Sequence, residues 1–152
     1  MNVLLLTHER ELGRPTNTGA IALSHAPGIV KRLVWERTTP NQSLVKLIEN
    51  GDAALLYPQD DAPTAHIEAY ESFIILDGTW QESRKIINKS VYLHKAPRVT
   101  LPVVGQSSFN LRRNQVHGGL CTAECIIELL KLKNQHKVAA CIECEYLSLI
   151  HI

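Results

Sequence analysis

Ile75-Leu76-Asp77-Gly78-Thr79-Trp80 carries an apolar run directly into one acid, one glycine, one hydroxyl and one indole. Ser72 to Leu76 is β-rich and uninterrupted, the pattern of a strand covered on both faces. Gly78 breaks the run where Asp77 emerges, and from Thr79 onward Trp80, Ser83, Ile86 and Ile87 recur at helical spacing with Thr79 as the N-cap. Asp77 is therefore expected at the carboxyl edge of a sheet, where open α/β folds bind ligands. A turn-forming Asp explains the same segment equally well.

Strand-like and helix-like segments alternate on either side of this stretch. Val3 to Leu6, Arg32 to Trp35, Ala53 to Tyr57 and Val99 to Leu101 read as strands. Asn17 or Thr18 caps a short helix through Ala20 to Leu23. Asn41-Gln42-Ser43 opens a helix through Leu44, Leu47 and Ile48 that stops at Asn50-Gly51. A short helical segment surrounds Ile67, and two helices, from about Cys121 to Leu132 and Val138 to Leu149, close the chain. Strands separated by helices imply an α/β fold, a mostly parallel sheet with helices on both faces.

Composition limits what such a fold can do. A chain of 152 residues, 45% apolar and 20% charged, reads as one domain (1–152) that buries roughly two-thirds of its unfolded surface without disulfides or metals. The start, Met1 to Leu6, lacks a basic n-region and reads as a strand and not a signal peptide. No apolar run is long enough to span a bilayer, and the four cysteines, in apolar helix-like surroundings, read as reduced thiols of a cytoplasmic protein. A net charge of +1 is not that of a strongly basic nucleic-acid-binding domain, so any RNA contact must come from a local patch. Arg84, Lys85 and Lys89 form one candidate patch, or a solvated helix face. Arg112 and Arg113, beside Asn114, Gln115 and His117, form another.

Three polar segments each interrupt an apolar element at what should be one edge of the sheet, and are expected to converge. They are His8-Glu9-Arg10 with Arg14-Pro15-Thr16-Asn17-Thr18-Gly19, then Asp77 to Trp80, then Arg112 to Gly119 leading into Leu120-Cys121-Thr122-Ala123-Glu124. Each ends at a helix start, whose free N–H groups suit an anion. Capped turns and helix-start chemistry account for the first and third as well.

Taken in order, His8-x-x-Glu11, Arg14-x-Thr16-Asn17-Thr18-Gly19, Leu76-Asp77-Gly78-Thr79-Trp80, Leu111-Arg112 and Leu120-Cys121-Thr122-Ala123-Glu124 resemble the motifs of the DTW-domain proteins. Those are tRNA-uridine aminocarboxypropyltransferases related to the SPOUT methyltransferases. The resemblance runs from Thr7 to the helix after Leu120 and implies a SPOUT-like fold with a C-terminal trefoil knot, which ordinary topology rules disfavour. It also implies transfer of the 3-amino-3-carboxypropyl group from S-adenosylmethionine to N3 of a uridine in tRNA, by a monomer or homodimer with no membrane or protein partner. Asp77, Thr79 and Trp80 would be catalytic. Leu76, Gly78, Leu120, Cys121, Thr122, Ala123, Glu124, Thr16, Asn17 and Thr18 would hold the co-substrate, and Arg14, Arg84, Lys85, Arg112 and Arg113 would contact RNA. Arg14 and Asn17 can alternatively hold the co-substrate or brace their loop.

The sequence departs from the family pattern in two places. Many relatives carry a cysteine-rich segment before the first strand; this sequence begins at that strand, so no metal site is expected. Cys121 stands where relatives often have serine, and a thiol makes a weaker hydrogen bond. In the implied chemistry, Leu76, Leu120 and Trp80 would bury the methyl of the sulfonium and present its longer arm. Asp77, strengthened by an apolar setting beside Trp80, would take the N3 proton or merely orient a reactant.

Other readings compete with this one. His66-Ile67-Glu68 with Cys141-Ile142-Glu143-Cys144 resembles a zinc deaminase signature, although Cys141 and Cys144 read better as packed core thiols. A SPOUT-type RNA methyltransferase and an inactive RNA-binding module are the remaining alternatives.

Overall fold

Five parallel strands lie side by side in the order β2-β1-β4-β3-β5: β1 Asn2–Thr7, β2 Val30–Val34, β3 Ala53–Leu56, β4 Ser72–Asp77 and β5 Arg98–Val99. The structure, a computed structural model, describes residues 1–57, 66–101 and 121–150. The central strands β1 and β4 are buried almost throughout, as parallel strands covered on both faces must be. Their side chains alternate between two cores. Val3, Leu5, Phe73 and Ile75 meet helices α1 (Gly19–His25), α4 (Thr122–Leu132) and α5 (His136–Ile150). Leu4, Leu6, Ile74 and Leu76 meet α2 (Gln42–Glu49), α3 (Trp80–Lys89) and the turn Val91–Lys95. Fully buried Ile86, Ile126 and Leu130 each stabilise this arrangement by roughly 1.5–3 kcal/mol.

Helix ends follow local chemistry. Asn41 accepts from the Leu44 N–H at 3.0 Å to start α2, and Gly51, at φ 73°, turns the chain out after it. The α4 and α5 boundaries match the sequence reading closely. The second strand begins two residues earlier than expected because Val30 already packs in the core, and Trp35 lies just past its end. The segment at Ile67 is a single tighter turn, Ile67–Ala69, and similar turns at Glu9–Glu11 and Val91–Lys95 carry no periodicity long enough to read. Cys141 and Cys144 correct the core reading: both are exposed, because the buried stripe of α5 runs through Ala139, Ile142 and Tyr146. Among the described residues no helix is long and apolar enough to cross a membrane.

The topology singles out one place on the sheet. From β1 the chain leaves toward β2 on one side, and from β4 toward β5 on the other, so neighbouring strands β1 and β4 part company at their carboxyl ends. Such a switch point opens a crevice where α/β proteins bind ligands. Thr7 and Asp77, paired in register, are the residues at that point.

Candidate functional site

Asp77 is fully buried and ringed by donors. Its Oδ2 accepts from Thr7 Oγ1 at 3.0 Å, from Asn17 Nδ2 at 3.1 Å and from Arg32 NH2 at 3.3 Å. Its Oδ1 accepts from Thr122 Oγ1 at 3.0 Å and from Asn17 Nδ2 at 3.1 Å. Period-two alternation explains the gathering: Thr7 on β1 and Asp77 on β4 share the face covered by α1 and α4, and Arg32, two residues on from core Val30, is on that face too. Asn17 reaches the acid from the loop before α1, and Thr122 from the first residue of α4. The setting is polar, which corrects the expected apolar surroundings beside Trp80.

Gly19 lets α1 start this close to the acid. A Cβ there would lie 3.2 Å from Asp77 Oδ2 and 3.2 Å from Leu5 Cδ1. Thr18 Oγ1 accepts from the Ala123 N–H at 3.0 Å, so the loop before α1 satisfies a free donor in the first turn of α4. Cys121 begins that helix, with its N–H donating to Glu124 Oε1 at 3.1 Å. Burial pushes the Cys121 thiol up, and that of Cys125, a residue only partly exposed, up to about 12, so neither is an activated nucleophile.

A second cluster continues from Asn17, whose Nδ2 also donates to the buried Glu11 Oε1 at 3.0 Å. Arg14 donates to Glu11 Oε2 at 2.6 Å and, through both terminal nitrogens, to Glu82 at 2.8 Å. Glu82 closes a capping box with Thr79: the Thr79 N–H donates to Glu82 Oε1 at 3.0 Å, and the Glu82 N–H to Thr79 Oγ1 at 3.2 Å. Gly78 makes room, since a Cβ there would sit 3.1 Å from Glu82. Burial alone pushes Glu82 up, but the Arg14 hydrogen bonds, the Thr79 N–H and the Arg14 charge outweigh it and hold the carboxyl below its ordinary range. Burial lowers the His8 imidazole, whose Nδ1 accepts from the Arg10 N–H at 3.2 Å and lies 3.8 Å from Glu82 Oε2. The neutral ring, protonated on Nε2, packs 5.6 Å from that of Trp35.

These contacts bring together Asn17, Thr18, Asp77, Gly78, Thr79, Thr122, Ala123 and Glu124 of the sequence-derived set. Thr16 is partly exposed in the loop before Asn17. Of the three readings open for Arg14, RNA contact, co-substrate binding and bracing, its bonds to Glu11 and Glu82 are those of a brace. Leu76 points to the opposite face of the sheet from Asp77 and packs in the α2/α3 core, which corrects its assignment to the wall around the same ligand. Trp80 is half-buried at the start of α3 with the Arg84 guanidinium 5.0 Å over its ring, and Lys85 is exposed on the same helix. Leu120, Arg112 and Arg113 lie outside the described residues. Thr7, Arg32, Glu11 and Glu82 were not singled out as site residues from sequence. The signal for Arg32 was present, because strand alternation turns a charge inward beside Val30.

Among the described residues no three His, Cys, Asp or Glu side chains cluster as a metal site. His66 and Glu68 are exposed in the turn before β4, and Cys141 and Cys144 are exposed on α5.

The family model of the DTW domain matches residues 1–149. A curated relative, tRNA-uridine aminocarboxypropyltransferase 2 of Drosophila melanogaster, is 28% identical over 138 residues, covering 84% of this chain and 54% of the relative. The chain thus spans about half the length of that protein. No solved structure matches the chain.

Proposed function

Because the chain belongs to the DTW-domain family, we propose that it transfers the 3-amino-3-carboxypropyl group from S-adenosylmethionine to N3 of a uridine in tRNA. The observation that carries this reading is the meeting of the Arg14–Gly19 loop, the Asp77 turn and the start of α4 around one buried acid at the β1/β4 switch point. A relative that bears the activity in its name supports the same reaction class.

The residues present fit a zwitterionic ligand. The Nε–H of Arg32 is buried with no acceptor among the described residues, a rare and costly state that an acceptor group on a ligand would relieve. When bound, S-adenosylmethionine supplies a sulfonium whose neighbouring carbon a nucleophile can attack. Thr122, Ala123 and Glu124 at the start of α4, with Thr16 to Thr18 opposite, would hold it. Asp77 orients this site instead of abstracting a proton, since donors occupy both of its oxygens. Thr79 and Trp80, partly exposed at the start of α3, would meet the incoming base, and the exposed Arg84 and Lys85 would add positive charge suited to tRNA phosphates. A trefoil knot through the chain's C-terminal part and a cytoplasmic location belong to the same reading.

The test is to incubate the protein with tRNA and S-adenosylmethionine, digest the RNA, and analyse its nucleosides by mass spectrometry. A uridine enlarged by the aminocarboxypropyl group is expected. A methylated uridine would move the protein to the methyltransferases, and unmodified RNA, with no S-adenosylmethionine-induced rise in melting temperature, would overturn the proposal.

A further inference from the structure

We infer that Arg32 reads the carboxylate of the ligand's transferable arm, an inference that rests on the S-adenosylmethionine reading above. Arg32 stands on edge strand β2, and nothing in the motif pattern assigns it. Its NH2 group is committed to Asn17 Oδ1 at 2.7 Å and Asp77 Oδ2 at 3.3 Å. Its Nε–H is buried with no acceptor among the described residues, although a guanidinium carries five donors in a fixed plane. The Arg32 side chain as a whole keeps 20% of its surface open.

The same molecule shows what a completed guanidinium looks like. Arg14 is held between two carboxylates, Glu11 and Glu82. Arg32 has one carboxylate, Asp77, and an amide oxygen, both on NH2, and a second carboxylate would take the Nε–H. Asp77 need not repel that second acid, because Thr7, Asn17 and Thr122 already donate to it. The Nε–H offers one charge-assisted hydrogen bond, which a carboxylate accepts more strongly than a neutral hydroxyl does. Fixing that end of the arm would also fix the carbon beside the sulfonium, at an angle set by Asp77 and Asn17. Arg32 is thus a ligand-reading residue, and Asp77 and Asn17 position it.

Calorimetric titration of wild type, Arg32→Gln and Arg32→Lys with S-adenosylmethionine and with decarboxylated S-adenosylmethionine tests this. Wild type should prefer the carboxylated compound by about tenfold or more, equivalent to about 1.4 kcal/mol. Arg32→Gln should lose most of that preference while still binding the decarboxylated compound within about threefold of wild type, which a merely structural role does not predict. Arg32→Lys keeps the charge beside Asp77 but has no Nε–H, and should recover less than half of the preference on a logarithmic scale. It decides the question alone if the glutamine variant does not fold. Retention of the wild-type preference by a folded variant overturns the inference, as does a wild type that binds both compounds equally. If wild type binds neither, the S-adenosylmethionine reading itself fails and the role of Arg32 falls with it.

Discussion

The Arg14 end of the polar network and the Arg32 end are built from the same groups, yet they leave different amounts unspent. At the first, one guanidinium spans two carboxylates, and one of those, Glu82, also caps α3. At the second, one carboxylate takes hydrogen bonds from four side chains while the guanidinium beside it keeps a buried donor without an acceptor among the described residues. Asn17 joins the two, donating to Glu11 and Asp77 and accepting from Arg32 and the Ala20 N–H. A saturated cluster is a brace, whereas an incompletely satisfied one at a switch point is suited to a ligand.

The sharpest way to break this contrast is to alter its centre. Asp77→Asn removes the charge facing Arg32 and turns an amide N–H toward groups that are already donors. It is expected to cost about 3–5 kcal/mol in denaturant unfolding and to abolish transfer; near-wild-type stability would mean that the two ends stand independently of this acid. Arg14→Met strikes the brace and leaves Glu11 and Glu82 without their shared cation. Because Arg14 is about one-third exposed, the loss should be smaller, about 1–3 kcal/mol by the same measurement. A loss equal to that of Asp77→Asn would erase the distinction.

Gly19→Ala probes the packing between the two ends. The new methyl meets Asp77 Oδ2 and Leu5 Cδ1, neither of which has room to move, and a loss of about 1 kcal/mol is expected in thermal melts. An unchanged melting temperature would show that α1 can shift without disturbing the acid.

Acid should expose the brace gently and in two stages. His8 is held below its ordinary value, so the unfolded chain takes up its proton first and stability falls as pH drops below about 6.5 toward the folded value. Glu82 is also held low, and its contribution, complete above its ordinary value near 4.5, is lost as pH falls further. Melting curves of His8→Gln should be flatter between pH 7 and 5 than those of wild type, and those of Glu82→Gln flatter only below that range. Parallel curves for all three proteins would contradict this assignment.

How much of this was legible in the sequence depended on the range of each signal. The strand at Ser72, the cap at Thr79 and the helix through Ile86 are local patterns, and they stand where the residues put them. Asp77 could be placed at a strand end because Gly78 marks the break. Leu76 was assigned to the wrong company because chain neighbours in a strand face opposite ways, and proximity in sequence misled where alternation should have ruled. Arg32 was passed over because its partner lies forty-five residues away and only the strand order brings the two together. The exposure of Cys141 and Cys144 depended on which face of α5 meets α1 and α4. Composition alone cannot supply that, since both faces of the helix carry apolar residues.

The central claim is that S-adenosylmethionine binds beside the buried acid at the β1/β4 switch point. Amide hydrogen exchange of the protein with and without that compound tests it most directly. The account predicts slowed exchange in residues 14–20, 30–34, 77–82 and 121–124, with little change along α2 and the outer face of α5. Protection confined to those distant helices, or none at saturating compound, would contradict it.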